Sequence, residues 1–373
     1  MLFTIISGCI EPYVPNLKAS TDEVYVVSGE VTDHEGYQVV TISKASPVGE
    51  PEYIPVGGCN ATIEDDRGHD FQMEENETGT YRVWMGQEFL SPGISYRLHV
   101  ITPSAEEIES EYDLMPVCPP IDSIYDEPQE IISQNTGTSL KGLQFYIDFH
   151  SSSEDSRFYR WTADETWEYH APYPIRYYFD GREHEVSPPD YSLNVCWSTE
   201  PVKRIFTLST GNLVSTGYKK LPLHFVDNTT NRLHVKYSVL VSQHALSERA
   251  YVFWEDLRVN SEQQGGLYEK QPLPVEGNIQ NITYREKKVL GFFGASSVTR
   301  KRVFVDGDPV LAPDDGSFCS PEELGIGGWS NVMPWEYPVY FIYVDQLTRT
   351  LQKSCADCRA LGGSIVKPEF WPN

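Results

Sequence analysis

The sequence predicts a mainly β protein, and three features of its 373 residues support this prediction. Aromatic residues make up 13% of the chain, including 23 Tyr and 8 Trp, and such residues favour strands. The 27 Gly and 26 Pro are spread along the chain, where they favour turns over long helices. The hydrophobic fraction of 40% is ordinary for folded proteins, so we expect sizeable cores.

Short alternating segments at regular spacing predict a first β domain over residues 22–116. These segments are Val24–Val31, Val39–Ser43, Val56–Gly68, Gly79–Val83 and Gly93–Val100. Alternation buries one face of each strand, and the Asp65-Asp66-Arg67-Gly68 run supplies a tight turn. The order of strand, acidic-Gly turn and Gly-x-Tyr resembles an immunoglobulin-like or transthyretin-like β-sandwich. Modules of this kind are usually structural or adhesive.

A stiff Pro-rich linker at 115–120 separates this sandwich from a larger β-rich domain, which we expect over residues 121–373. Predicted strands include Leu143–Phe149, Phe158–Tyr169, Leu233–Val241 and Val339–Val344. One segment differs, because apolar residues at Ala250, Phe253, Trp254 and Leu257 have helical spacing. We therefore predict a single helix over 247–259, packed on a sheet.

The first residues resemble a lipoprotein signal. Ile6-Ser7-Gly8-Cys9 resembles the bacterial lipobox, in which an aliphatic residue and two small residues precede the lipidated cysteine. We predict a signal remnant at 1–9, lipidation (diacylglycerol and palmitate) on Cys9 and an extended tether at 10–21. The basic n-region is absent, so we expect the true start codon upstream. The alternative is a short buried segment with a chance cysteine.

Six further cysteines permit up to three disulfides in an exported protein, with fifteen possible pairings. The candidates are Cys59, Cys118, Cys196, Cys319, Cys355 and Cys358. The last two form a CxxC, which alone could be a redox motif or half of a zinc site. No second CxxC and no nearby His complete a tetrahedral set, so structural disulfides are the preferred interpretation.

The sequence carries no recognisable catalytic motif. It lacks a P-loop, a dinucleotide fingerprint, an HExxH and a GxSxG. None of its nine His has ligand spacing, although His170 and His184 flank a Tyr-rich hairpin. Acidic turns at 306–308 and 314–316 do not have EF-hand spacing. We predict no enzyme activity, metal or cofactor; a hydrolase would require a convergent polar pocket.

Clustered aromatics offer a possible binding surface. The candidates are Trp161, Trp167, Tyr169, Trp329 and Trp335. Exposed aromatics stack on sugars or anchor protein interfaces, but alternating aromatics in a strand are more often core. Both interpretations remain open from the sequence.

Net charge excludes one class of partner. With 54 acidic and 29 basic residues the chain carries a formal charge of -25. That charge repels nucleic acid, so we expect no nucleic-acid partner. The acid is dispersed, which favours a solvated surface over a cation site.

Motifs spread along the chain resemble one lipoprotein family. They are His244–Trp254, Gly265–Tyr268, Gly277-Asn278-Ile279, Val289–Ser296, Cys355–Arg359, Gly362-Gly363 and Lys367–Trp371. In this order they resemble a family of Bacteroidota outer-membrane lipoproteins, domain of unknown function 4249. The resemblance implies a lipid-anchored protein of the outer membrane, facing the periplasm or the cell surface, that assists a TonB-dependent receptor in ligand capture or transport. The alternative is a surface glycan-binding or adhesive module. The family supplies no catalytic residues.

Overall fold

A computed structural model describes residues 24–46, 52–132, 137–152, 155–211, 213, 217–262, 275–308, 311 and 319–372. These residues form 25 strands, one α-helix and six short 3₁₀ helices. The prediction of a mainly β chain with one helix is therefore confirmed. The predicted signal remnant, Cys9, the tether and the acidic turn at 314–316 lie outside the described residues.

The elements follow in chain order. The strands are β1 (Tyr25–Thr32), β2 (Gly36–Lys44), β3 (Ile54–Pro55), β4 (Asn60–Asp65), β5 (Asp70–Gln72), β6 (Glu74–Glu77), β7 (Thr80–Met85), β8 (Ser95–Ile101), β9 (Glu107–Ser110), β10 (Asp113–Leu114), β11 (Ile121–Ile132), β12 (Ser139–His150), β13 (Phe158–His170), β14 (Ile175–Phe179), β15 (Glu183–Asp190), β16 (Val195–Pro201), β17 (Phe206–Ser209), β18 (Gly217–Asp227), β19 (Lys236–Leu246), β20 (Ile279–Asn281), β21 (Val289–Ser296), β22 (Val298–Asp306), β23 (Glu322–Glu323), β24 (Val339–Val344) and β25 (Leu347–Leu351). The helix is α1 (Glu248–Glu262), and the 3₁₀ helices span Gln87–Phe89, Asn231–Leu233, Gly328–Asn331, Pro334–Glu336, Lys353–Cys355 and Cys358–Leu361.

The first unit is a sandwich of two six-stranded sheets. One sheet has the order β21-β1-β2-β7-β6 with β3 beside β2, and the other has β20-β9-β8-β4-β5 with β10 beside β8. Alternation along β1 and β2 turns Val27, Val31, Val40 and Ile42 inward, where all four are fully buried. They share one core with residues from the second sheet, such as Ile63.

Two strands that the sequence places in the second domain lie in the sheets of the first. β21 pairs in parallel with β1, and β20 pairs with β9. Asn278 fastens this segment, because its amide donates to the Phe293 carbonyl (2.7 Å) and accepts from the Phe293 amide (3.0 Å). Gly291 has φ +102°, and a Cβ there would lie 1.9 Å from the Val27 carbonyl oxygen. Only glycine fits that position.

The second unit is also a sandwich. A three-stranded sheet, β11-β12-β18, shares a core with the sheet β16-β13-β19-β22, in which β17 also pairs with β13. Long alternating strands build this core, for instance through Phe145, Ile147 and Phe149 of β12 and Tyr159 and Trp161 of β13.

Helix α1 lies at the junction of the two sandwiches and confirms the predicted helix. Its buried residues Ala250 and Phe253 pack against Phe292 of β21. The Ser247 hydroxyl accepts the Ala250 amide (3.1 Å) and donates to the Asp113 carboxylate (2.6 Å). The N-cap of the helix is thereby tied to the first sandwich.

Asp113 is a buried carboxyl group at this junction, 4% exposed. Besides Ser247, its carboxylate accepts the Ala295 amide at 2.9 Å. Burial raises the pKa of Asp113 to about 6, although both hydrogen bonds act in the opposite direction. The charged form is therefore disfavoured where α1 meets β10 and β21.

A fifth sheet, with five strands in the order β15-β14-β24-β25-β23, is fixed by disulfides. Cys196 pairs with Cys358 (the long-range disulfide), and Cys319 pairs with Cys355 (the short-range disulfide). The two cysteines of the CxxC thus bind different distant partners, which agrees with structural disulfides rather than a redox or zinc motif.

The disulfide prediction is wrong for the other two candidate cysteines. Cys59 and Cys118 are free thiols. Cys59 lies in the first sandwich, where its amide donates to the Tyr81 hydroxyl. Cys118 lies in the linker, where its thiol donates to the Gln243 carbonyl oxygen at 3.2 Å. The Cys59 thiol lies 3.9 Å from the Val56 carbonyl oxygen and the Cys118 thiol contacts the second sandwich, so neither pairs with another cysteine that the structure describes.

Candidate functional site

The predicted aromatic surface divides into a buried and an exposed part. Trp161, Trp167 and Tyr169 on β13 are buried in the second sandwich. The surface prediction is wrong for these three residues, because alternation directs them between the two sheets. Trp335 is 80% exposed and Trp329 is partly buried, and both belong to the segment that precedes β24.

Strand register places a row of rings on one face of the fifth sheet. β14 pairs with β24 so that Tyr177 lies opposite Phe341, and their rings stack with centroids 5.4 Å apart. Alternation puts Tyr343 and Phe179 on the same face, and Tyr343 contacts Tyr177 edge-on at 5.0 Å. The opposite face, with Tyr178 and Tyr340, packs on the Cys355 side of the short-range disulfide.

Residues 324–338 lay two further rings over this face. Trp329 stacks flat on Phe179 (4.4 Å, 6°) and meets Phe341 edge-on (4.9 Å). Tyr337 meets Phe179 edge-on at 5.5 Å. We call the six rings of Tyr177, Phe179, Trp329, Tyr337, Phe341 and Tyr343 the aromatic ladder. Gly327 and Gly328 have φ +105° and +57°, and this left-handed turn brings Trp329 onto the sheet.

The same segment exposes apolar side chains to solvent. Ile326 is fully exposed, and Met333 and Trp335 are also exposed. Trp335 lies on a 3₁₀ turn that is fixed where the Glu336 carboxylate accepts the Met333 amide at 2.7 Å. We call Ile326, Met333 and Trp335 the apolar rim. Exposed aromatic and Met side chains on an ordered turn are typical of an interaction surface.

Glu183 of β15 supplies a carboxylate at the exposed end of the ladder. It accepts hydrogen bonds from the Trp329 indole and from the Tyr343 hydroxyl (3.2 Å). Burial raises the pKa of Tyr343, and the charge of Glu183 adds to the increase. The arrangement combines flat apolar rings with a hydrogen-bond acceptor, which suits ring stacking or docking.

The sequence reasoning missed a polar cluster inside the second sandwich. Glu165 lies on the core face of β13, where it contacts His224 (3.3 Å), Arg232 (3.2 Å) and the Tyr237 hydroxyl (3.0 Å). Burial raises the pKa of Glu165, but His224 and Arg232 outweigh it and hold the pKa below its usual value. The Arg232 guanidinium also lies 4.7 Å from the Trp167 ring centroid. The alternation pattern of a single strand could not reveal this cluster, because its residues come from four separate elements.

A second cluster joins the two sandwiches. Glu30 of β1 binds Arg160 at 2.8 Å and accepts from the Ser296 hydroxyl at 2.7 Å. Ser296 and Glu30 both approach the same His244 nitrogen, Nδ1, at 3.2 and 3.3 Å. A Ser-His-acid relay requires the two partners on opposite ring nitrogens. The cluster therefore forms an ion-paired junction without relay geometry.

The histidine pair singled out from the sequence has local partners. His170 contacts Glu168 and His184 contacts Asp180, each at 2.8 Å. The His184 ring also stacks on Tyr178. These contacts agree with the predicted structural roles. Within the described residues, no group of three or more His, Cys, Asp or Glu is arranged to hold a metal ion.

The comparisons with known proteins identify the family. The chain matches the family model "Domain of unknown function (DUF4249)" over residues 10–302. The chain belongs to this family. The match includes β14 and β15 but ends before β24, so part of the aromatic ladder lies beyond the matched range. A comparison with curated proteins found no match. None of the helices in the described ranges is long and apolar enough to cross a membrane.

Proposed function

We propose that this member of the DUF4249 family is an outer-membrane-anchored accessory lipoprotein that assists a TonB-dependent receptor in ligand capture or transport. Lipid on Cys9 would supply the anchor, and the apolar rim would dock on the receptor. The observation that carries the proposal is the exposure of Trp335 on an ordered turn, with Ile326 exposed in the same segment. Apolar anchors of this kind supply much of the affinity of protein interfaces.

Two further features support the proposal. The family match begins at residue 10, immediately after the lipobox-like run that ends at Cys9. The rim also stands on a rigid base, because the aromatic ladder packs ring on ring beneath its segment. A preorganised surface loses little conformational entropy on binding.

Site-specific photo-crosslinking in intact host cells tests the docking. A photoreactive residue replaces Trp335, and the matched control replaces Trp84, an exposed tryptophan on the first sandwich. We expect mass spectrometry to identify a TonB-dependent receptor only with the probe at position 335. Equal capture at both positions, or no receptor at either, would contradict the proposal. Cys9→Ala should separately release the protein from the membrane fraction.

A surface glycan-binding module is the second candidate, favoured by the carboxylate beside the ladder. Glu183 lies next to the half-exposed ring of Tyr343, and sugars use both ring stacking and hydroxyl donation to a carboxylate. Binding on a glycan array that is lost with Trp335→Ala and with Glu183→Gln, but kept with Trp84→Ala, would favour this candidate. Array binding that all three variants retain would exclude this surface.

A further inference from the structure

The first sandwich has a cavity of about 380 Å³, and none of the residues that line it belongs to the aromatic ladder. The segment around β20 and the start of β21 line it, and each of these strands is the edge strand of its sheet. The volume lies within the range of small-molecule sites. The cavity therefore suits a ligand much smaller than a protein partner.

The charge of this cavity is opposite to that of the whole protein. Arg285, Lys287 and Lys288 line it, against a single acid, Glu276. The chain as a whole carries 54 acidic and 29 basic residues. A local group of cations in an acidic protein creates a confined positive potential, which concentrates anions at that point.

A buried network holds the cationic turn in place. The ammonium group of Lys287 donates to the Glu106 carboxylate at 2.7 Å, and the Asn281 amide donates to the other oxygen at 2.6 Å. The Asn281 carbonyl oxygen in turn accepts the Tyr284 amide at 2.7 Å. Burial raises the pKa of Glu106, but Lys287 and Asn281 outweigh it and keep the carboxylate charged. The turn is thus fastened at two points, to Asn281 of β20 and to Glu106, which immediately precedes β9.

The network leaves two cations available for a ligand. Lys287 is neutralised by Glu106, whereas Arg285 and Lys288 make no ion pair with any residue that the structure describes. Both are exposed at the cavity. Their charges are therefore not satisfied within the described chain.

Aliphatic and uncharged polar residues complete the lining. Val275, Ile279, Val289 and Leu290 lie beside the cationic turn, together with Gln280 and Asn281. We propose that this cavity binds small organic anions that combine a carboxylate or phosphate group with a short apolar body. Arg285 and Lys288 bind the anionic group, and the aliphatic wall packs on the apolar part. This site is independent of the receptor-docking surface proposed above.

Two probes of equal chain length and opposite charge test the site. The full chain carries Cys9→Ser so that no detergent is needed, and binding of octanoate and octylammonium is measured by ligand-detected NMR titration. We expect octanoate to bind at least about tenfold more tightly, a difference of about 1.4 kcal/mol. The affinity should fall with salt, since the attraction is electrostatic.

A matched pair of variants separates the cavity from net charge. Arg285→Gln with Lys288→Gln should weaken octanoate binding about tenfold. Lys219→Gln with Arg300→Gln removes the same charge at exposed positions elsewhere and should leave binding unchanged. Unchanged thermal midpoints would verify folding of both variants. Equal binding of the two probes, equal effects of the two variant pairs, or absence of octanoate binding at millimolar concentration would overturn the proposal.

Discussion

The buried carboxyl group of Asp113 makes a quantitative prediction about stability and pH. Its pKa rises from 3.8 to about 6 on folding, which corresponds to about 3 kcal/mol. Below pH 3.8 both states hold the proton. Between pH 4 and 6 the unfolded chain releases the proton while the folded protein retains it. The free energy of unfolding therefore decreases as the pH rises through this window, and the full cost is present above pH 6.

Asp113→Asn removes this titration and keeps the shape of the side chain. The substitution also removes one of the two hydrogen bonds that the carboxylate accepts from Ser247 and Ala295, because Asn has a single acceptor oxygen, but that loss does not vary with pH. We expect the free energy of unfolding of the variant, relative to the natural protein, to rise by about 2.4 kcal/mol between pH 4 and pH 7. Urea unfolding followed by circular dichroism at four pH values measures the difference. Asp70→Asn, at an exposed position, is the control.

The contribution of Glu30 to stability has the opposite pH dependence and must be separated from that of Asp113. Burial raises the pKa of Glu30, but Arg160 and His244 outweigh it and hold the pKa far below its usual value. Its stabilisation is present above the unfolded pKa and is lost as the pH falls. This contribution is common to both proteins and cancels in their difference. A difference that stays constant from pH 4 to pH 7 would refute the reasoning about Asp113.

Three further predictions concern stability. The long-range disulfide spans 162 residues and the short-range disulfide 36, so restriction of the unfolded chain should stabilise the fold by about 5 and about 4 kcal/mol, respectively. Replacing both cysteines of a disulfide with alanine should therefore destabilise the protein more for the long-range pair, as measured by urea unfolding without reductant. The reverse order would count against the entropic account. Gly291→Ala should lower the free energy of unfolding by at least about 2 kcal/mol in thermal unfolding, because its Cβ meets the Val27 carbonyl. Gly294→Ala in the same strand should lower it less, and equal losses would contradict the parallel pairing. Trp161→Ala should cost about 3–5 kcal/mol and Trp335→Ala less than about 0.5 kcal/mol, and similar urea midpoints would mean that their burial is misassigned.

Local patterns predicted the elements well, because alternation and helical spacing are properties of a single segment. The predicted strand at Phe158–Tyr169 is β13, and the predicted helix at 247–259 overlaps α1. The same patterns could not tell which sheet a strand joins. Val289–Ser296 reads as a strand in either unit, and only the pairing with β1 assigns it to the first sandwich.

The candidate surface was predictable only in part, for a related reason. Alternating aromatics on β13 could face either a second sheet or solvent, and the presence of the facing sheet is not encoded within β13 itself. The exposure of Trp335 was easier to predict, because the Gly- and Pro-rich run around it does not favour a regular strand with one buried face. Neither the six-ring ladder nor the cationic cavity was foreseen, since both depend on contacts between distant segments.

The parallel pair of β1 and β21 imposes an order of assembly on the chain. Synthesis proceeds from the N-terminus, so β1 to β10 emerge long before their last partners, β20 and β21. During that interval the β1 edge is an unpaired template that neighbouring nascent chains could extend. Efficient production of this protein therefore depends on keeping that edge covered until residue 296 has emerged. Fragments that end near residue 116 should aggregate, while those that reach residue 296 contain every strand of the first sandwich.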